Sequence, residues 1–339
     1  MHFRAGRWVI APTTDTLNDA LIYYIIYNER TITMTTTKKL LAIIMSLIMV
    51  FGMFAFSVSA EDAIVTDGYY EEGEYSIHYT VVPAEGEAKG RIMFIHGFLY
   101  SGTTWNGMAE VMSAEGYDCY LLDLPNFGYS TRENAETQLI EREVLVTNFM
   151  KTVAPMNEWI VAGHSMGGGV AMNIACDYPE IEALLLYCPC EIATNGNTML
   201  SSMASNSFMS KMMDSIFKMV LSNPLIVKMA VYMTTGDMDY AKNYDASLLA
   251  DPLMIPGTGA GMLFASANAR NTDYEAVAKL EMPVLLVWAD GDNVLSDSNC
   301  ENISNALAGK ETVTVEGSHI VIETAPDTLS ALTLDFLAK

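Results

Sequence analysis

Basic residues are scarce in this chain: 18 lysines and arginines stand against 41 aspartates and glutamates in 339 residues, for a net charge of −23. The first 60 residues hold five of the basic and three of the acidic side chains, so the remainder runs at about −25. No basic cluster offsets that field, which excludes the phosphate-tracking surface needed for nucleic acid and disfavours anionic membrane surfaces. Histidine is scarcer still, with five residues, so every candidate base can be weighed singly. Cysteine is sparse and odd in number: Cys119, Cys176, Cys188, Cys190 and Cys300. At least one therefore lacks an intramolecular partner. Cys188-Pro189-Cys190 has neither a paired Cys-x-x-Cys nor the histidines of a zinc site. Buried thiols are expected, with a disulfide as the alternative. No internal repeat is present.

Among what is there, one block accounts for part of the 51% hydrophobic content. Lys38-Lys39 precedes an apolar run from Leu40 to Phe56, followed by Ser57-Val58-Ser59-Ala60. A basic start, an apolar middle and small residues before the acidic Glu61-Asp62 describe a secretory signal over 34–60, cleaved after Ala60. That order places the protein outside the cell; an uncleaved 40–56 segment would instead anchor it to a membrane. Met34 is the natural start of such a signal, so residues 1–33 are read as a disordered or untranslated extension. Their run Leu21–Tyr27 is too brief to span a bilayer.

After the signal, Tyr75 to Val81 alternates as a half-buried strand does. Short apolar runs then alternate with helical patterns. Strands are expected at 91–95, 119–123, 159–162, 183–188, 283–288 and 312–315. Helices are expected near 104–115, 136–154 and 298–307, with a last one from Pro326. Continuous apolar strands between helices imply a mostly parallel sheet covered on both faces. The rhythm breaks between Pro189 and Met282, where nine methionines fall between Met199 and Met238. Met212, Met213, Ile216, Phe217 and Val220 are placed on one helical face, and Pro224 ends that helix. The domain reading is therefore a core of 61–188 and 283–339, interrupted by a helical lid over 189–282.

The run Trp159-Ile-Val-Ala162 leads into Gly163-His164-Ser165-Met166-Gly167-Gly168-Gly169. Physically this is a buried strand, a glycine-forced turn and a helix start, which holds a serine hydroxyl above helix-start amides. That position suits a nucleophile, because those amides stabilise an adjacent anion. A serine needs a base, and the base needs an orienting acid. His2 lies outside the core, His78 sits on the N-terminal strand, and His96 and His164 belong to turns. His319 lies between the last strand and the last helix, on a loop at the sheet edge that carries Ser165. For the acid, the loop after strand 283–288 offers Asp290 and Asp292.

Gly-x-Ser-x-Gly in strand–turn–helix context resembles the nucleophile elbow of the α/β-hydrolase superfamily. The order Ser165, acid, His319 matches that family too, and Trp288-Ala-Asp290-Gly-Asp292 aligns Asp292 with its triad acid. The resemblance implies an α/β-hydrolase fold: a mostly parallel central sheet, helices on both faces and a helical lid after the sixth strand. It implies a catalytic Ser165–Asp292–His319 triad. His96-Gly97-Phe98 further implies an oxyanion hole built from the backbone amides of Phe98 and Met166. Asp123-Leu-Pro-Asn126-Phe-Gly-Tyr-Ser130 is similar to a family loop with glycine at the position of Asn126, a residue that tolerates the left-handed region.

The function implied is hydrolysis of a carboxylic ester, of esterase or lysophospholipase type, with no metal and no organic cofactor. The substrate is a small ester or lipid-like molecule. Thioester, amide or peptide, and carbon–carbon hydrolysis, cofactor-free perhydrolysis, and non-catalytic binding of an apolar ligand are the alternatives.

Overall fold

A computed structural model of the chain describes residues 65–134, 136–193 and 206–339. The extension, the signal segment with its cleavage point and the 40–56 run lie outside the described residues.

A hairpin opens the fold: β1 (Thr66–Glu72) pairs antiparallel with β2 (Tyr75–Val82). There follow β3 (Gly90–Ile95), α1 (Asn106–Ala114), β4 (Tyr117–Leu122), α2 (Arg142–Val153), β5 (Trp159–His164), α3 (Met166–Asp177) and β6 (Ala183–Tyr187). After an insertion come β7 (Val284–Ala289), β8 (Glu311–Val315) and helices described below. The strands form one sheet in the order β1-β2-β4-β3-β5-β6-β7-β8. Pairing is antiparallel for β1–β2 and β2–β4 and parallel for all the rest.

The central strands are apolar at consecutive positions because both sheet faces are covered. Met93, Ile95, Val161, Leu184 and Leu186 point to one side and meet Leu145, Phe149, Val170 and Ile174 of α2 and α3. Ile92, Phe94, Ile160, Leu185 and Val287 point to the other and meet Trp105, Met108 and Met112, with Leu329 and Phe336 of the C-terminal helix.

Two helices begin later than the sequence pattern places them. The stretch expected from Thr104 opens as a 3-10 turn (Gly102–Trp105) before α1. The stretch expected from Glu136 becomes helical only at Arg142. In the latter, side chains take the amides a helix would use. The Glu136 amide donates to Asn134 Oδ1 (2.8 Å), that of Gln138 to Glu74 (2.9 Å) and that of Ile140 to the Tyr75 hydroxyl (3.2 Å).

Between β6 and β7 the described residues form α4 (Ser207–Leu221), α5 (Pro224–Thr235), α6 (Met238–Asn243), α7 (Ala246–Leu253), α8 (Thr258–Asn268) and α9 (Tyr274–Val277). Asparagine and aspartate caps start α4 to α7: Asn206, Asn223, Asp237 and Asp245 each accept first-turn amides. The five apolar residues expected on one face of α4 do lie on one helix, but that face is only partly covered. Met213, Phe217 and Val220 are half-buried, while Met212 and Ile216 are exposed. Asp214 sets that rotation, since its carboxylate accepts from the amides of Gly257 (2.8 Å) and Gly259 (3.1 Å). The C-terminal part adds α10 (Asp297–Ala306), the single turn α11 (Val321–Thr324) and α12 (Pro326–Leu337).

Candidate active site

Ser165 stands between β5 and α3 at φ 52°, ψ −123°, a backbone conformation that a serine seldom adopts. The turn is tight: a Cβ at Gly163 would lie 2.3 Å from the Gly167 carbonyl oxygen, so only glycine fits there. It is also tied on both sides. The Ser165 amide donates to the Tyr187 carbonyl (3.2 Å), and the Ser165 carbonyl accepts from Gly168 and Cys190 (2.8 Å each). These bonds offset the strain and fix where the hydroxyl points.

His319 meets that hydroxyl. Its Nε2 lies 2.9 Å from Ser165 Oγ, and its Nδ1 lies 2.7 Å from Asp292 Oδ2. The other oxygen of Asp292 accepts from the amides of Val294 (2.8 Å) and Leu295 (3.1 Å). Burial acts to raise the Asp292 carboxyl, but its bond to His319 and those two amides outweigh it and hold it below the usual carboxylate range. Asp292 therefore stays ionised, its oxygens directed by backbone and imidazole. Asp290 does something else. It accepts from the Gly317 amide (3.1 Å), and Gly291 donates to the Gly317 carbonyl (2.8 Å), so it braces the loops after β7 and β8 against each other.

Phe98 and Met166 flank the elbow. A Cβ at Gly97 would lie 3.1 Å from the Ser165 Cβ, so the peptide leading to Phe98 runs against the serine. The Met166 amide is the first of α3, a position that the helix itself leaves without an acceptor. The loop that carries Phe98 is held from below. His96 donates through Nδ1 to the Gly97 carbonyl (2.7 Å) and accepts at Nε2 from the Leu124 amide (3.0 Å), and burial keeps it neutral. Asp123 accepts from the amides of Gly102 (2.6 Å) and Tyr129 (2.9 Å) and from His78 Nδ1 (2.8 Å). Asn126 adopts φ 74°, the left-handed conformation the sequence reading allows it, and its amide side chain binds Glu133.

Three neighbours of the site carry no sequence signal. His164 donates from Nε2 to the His319 carbonyl (2.8 Å), steadying the loop that bears His319. Its burial lowers its pKa to about 3, so it acts as a neutral donor. Arg142, almost wholly buried at the start of α2, directs Nη1 at the Met166 sulfur (3.6 Å). Cys188, at φ 43° and fully buried, brings its sulfur to within 4.8 Å of ligating atoms of Asp292 and His319. Burial, with Asp292 nearby, pushes its thiol well up, so it is a neutral neighbour of the carboxylate. Thiol, carboxylate and imidazole would suit a thiophilic ion, but here the carboxylate and imidazole are already spent on each other. All five cysteines are free thiols.

The family model described as "alpha/beta hydrolase fold" matches residues 90–326. The chain belongs to the alpha/beta hydrolase fold family. Among curated proteins, this alpha/beta hydrolase is 21% identical to monoacylglycerol lipase ABHD6 of Bos taurus, covering 80% of this chain and 82% of that one. It is 23% identical to the pimeloyl-[acyl-carrier protein] methyl ester esterase of Hamiltonella defensa, over 75% and 95%. A 24% match to the dihydrolipoyllysine-residue acetyltransferase component of the acetoin cleaving system of Cupriavidus necator spans 64% of this chain but only 56% of that protein. Among solved structures, the enol-lactonase of Burkholderia xenovorans LB400 superposes with a TM-score of 0.63 at 16% identity, over 80% of this chain and 100% of its own. At that identity the likeness speaks for the fold alone.

Proposed function

We propose that the protein is a serine hydrolase that cleaves carboxylic esters of esterase or lysophospholipase type through an acyl-enzyme on Ser165. The observation that carries this reading is the continuous relay Ser165 Oγ–His319 Nε2 (2.9 Å) and His319 Nδ1–Asp292 Oδ2 (2.7 Å). His319 accepts the Ser165 proton as the oxygen attacks the acyl carbon. The amides of Phe98 and Met166 receive the developing oxyanion, each worth on the order of a hundredfold or more in rate. His319 then passes the proton to the leaving alcohol, and water repeats the two steps on the acyl-enzyme. Asp292 holds the imidazole in the tautomer that leaves Nε2 free and stabilises the imidazolium. The named activities of the lipase and methyl ester esterase relatives favour an ester over a thioester, an amide or a carbon–carbon bond. Export after cleavage at Ala60 belongs to the same proposal and would appear as a mature N-terminus at Glu61.

The test is a screen over p-nitrophenyl esters of increasing acyl length, paired with fluorophosphonate labelling. Wild type labels at Ser165 and turns over. Ser165→Ala neither labels nor turns over, a loss of roughly a millionfold in kcat. A folded wild type that fails to label would overturn the reading.

A further inference from the structure

Helices α4 and α5 are apolar on both sides. Their inner residues, Phe217 and Val220 on one and Val227 and Val231 on the other, pack into the protein. Their outer sides are apolar too. On α4, Phe208, Met212, Ile216 and Met219 follow one another at helical spacing and are 72%, 37%, 40% and 71% exposed. On α5, Leu225, Met229 and Met233 form a second stripe, 75%, 56% and 68% exposed. Of the 19 large apolar side chains exposed among the described residues, ten lie between Phe208 and Leu248. Scattered exposed leucines need no explanation, but apolar stripes on two consecutive helices do. A helix that is apolar all round finds its full environment only when something apolar covers its outer face.

Charge selects what covers it. In a chain of net charge −23, residues 207–235 hold three lysines and one aspartate. The aspartate, Asp214, is turned inward onto the Gly257 and Gly259 amides. Lys211 and Lys218 lie exposed on α4, while Lys228 donates to the Lys242 carbonyl (2.5 Å). A second copy seated face to face would set the same lysines against one another, whereas lysines beside an apolar stripe match a phosphate layer over hydrocarbon. The two helices meet at a 91° bend, and no single described helix is long and apolar enough to cross a bilayer. Together the bent pair has the length and composition of a broken span, but Val227 and Val231 are buried in the folded chain, so it is the outer sides that face a surface.

We propose that α4 and α5 are a lipid-docking face, with the outer stripes entering the headgroup–acyl boundary and Lys211 and Lys218 meeting lipid phosphates. The net charge of the whole chain argues against an anionic surface; the local charge of this face has the opposite sign. Its range is short, because salt limits each charge to about 10 Å. The proposal is independent of the chemistry at Ser165.

Amide exchange on the full chain tests it, since protection is read segment by segment and is independent of any contact made by residues 40–56. Phosphatidylcholine vesicles containing one-fifth phosphatidylglycerol are expected to slow exchange across 207–235 by about tenfold or more. Leu225→Asp with Met229→Asp on α5, or Phe208→Gln with Met219→Gln on α4, abolishes that protection. All four side chains face solvent, so the melting temperature stays as in wild type. Lys211→Glu with Lys218→Glu weakens the effect on the anionic vesicles by about fivefold or more for each lysine and spares pure phosphatidylcholine. Unchanged exchange in 207–235 on adding vesicles overturns the proposal. So does protection that needs no vesicles and grows with protein concentration, because a second copy is then the occupant.

Discussion

The two halves of this molecule spend their apolar residues in opposite ways. At the end of the parallel sheet, Leu185, Leu186 and Val287 are wholly buried, and Ser165, His319 and Asp292 are joined in one chain of hydrogen bonds with His164 holding the His319 carbonyl. In the insertion, Leu225 is 75% exposed and Met219 71% exposed, with solvent where a core would be. The body holds a few atoms at fixed distances, as a reacting group requires. The insertion keeps flexible thioether side chains at the surface, as an adaptable contact requires. Each contrast can be broken by substitution, and the expected effects fall in a definite order.

The largest lies at the acid. Asp292→Asn is expected to lower kcat on an ester substrate by about ten-thousandfold, because the amide stabilises the wrong imidazole tautomer. Asp290→Asn is expected to stay within tenfold, since Asp290 braces the Gly317 loop and does not touch His319. Steady-state kinetics on the two purified variants decide it, and the reverse ranking would move the acid to Asp290. Next comes the core beneath the site. Leu186→Ala removes a wholly buried side chain from the sheet and is expected to cost about 2–5 kcal/mol in urea unfolding. A cost near zero would mean that the body is no more tightly packed than the insertion.

A smaller effect couples the two halves. Tyr240 of α6 donates to Glu323 Oε2 of α11 (2.9 Å), four residues beyond His319. Burial raises the Glu323 carboxyl to about 7, and the Tyr240 hydroxyl only partly offsets this. Between pH 4.5 and 7 the folded protein thus keeps a proton that the unfolded chain has released. The stability this supplies is full below about pH 4.5 and is lost as pH rises through about 7. Because the side chain is partly exposed, water reduces the effect to about 1–2 kcal/mol. Glu323→Gln keeps the hydrogen bond without the titration. The difference in melting temperature between wild type and Glu323→Gln should therefore widen from pH 5 to pH 8, and a constant difference would dismiss the coupling.

Much of the body was legible because its signals are local. Apolar runs such as Leu184–Leu186 mark strands covered on both faces, and glycines around Ser165 mark a turn that other residues cannot make. Chain order then carries His319 and Asp292 to the edge where Ser165 stands, and the distances between them follow from the sheet. The start of α2 was not legible, because Asn134, Glu74 and Tyr75 claim its amides from outside the helical pattern. The rotation of α4 depends on Asp214 meeting Gly257 and Gly259, more than 40 residues away. His164 under the His319 carbonyl, Arg142 on the Met166 sulfur and Cys188 beside Asp292 are likewise products of folding. Periodicity alone also cannot tell an inner face from an outer one when both are apolar, which is the situation on α4 and α5.

That ambiguity sets the smallest prediction. Met229→Ala removes a side chain of the same kind as those in the core, but from a position that is 56% exposed. Away from lipid it creates no cavity, so the change in unfolding free energy is expected to lie within about 0.5 kcal/mol of wild type. The same substitution at Met108, wholly buried beside Trp105, should cost about 2–5 kcal/mol. Thermal melts of the two variants in lipid-free buffer measure the gap directly. If Met229→Ala were as costly as Met108→Ala, its side chain would already be covered within the folded chain. The outer face of α5 would then belong to the interior, and the opposition between body and insertion would collapse at that helix.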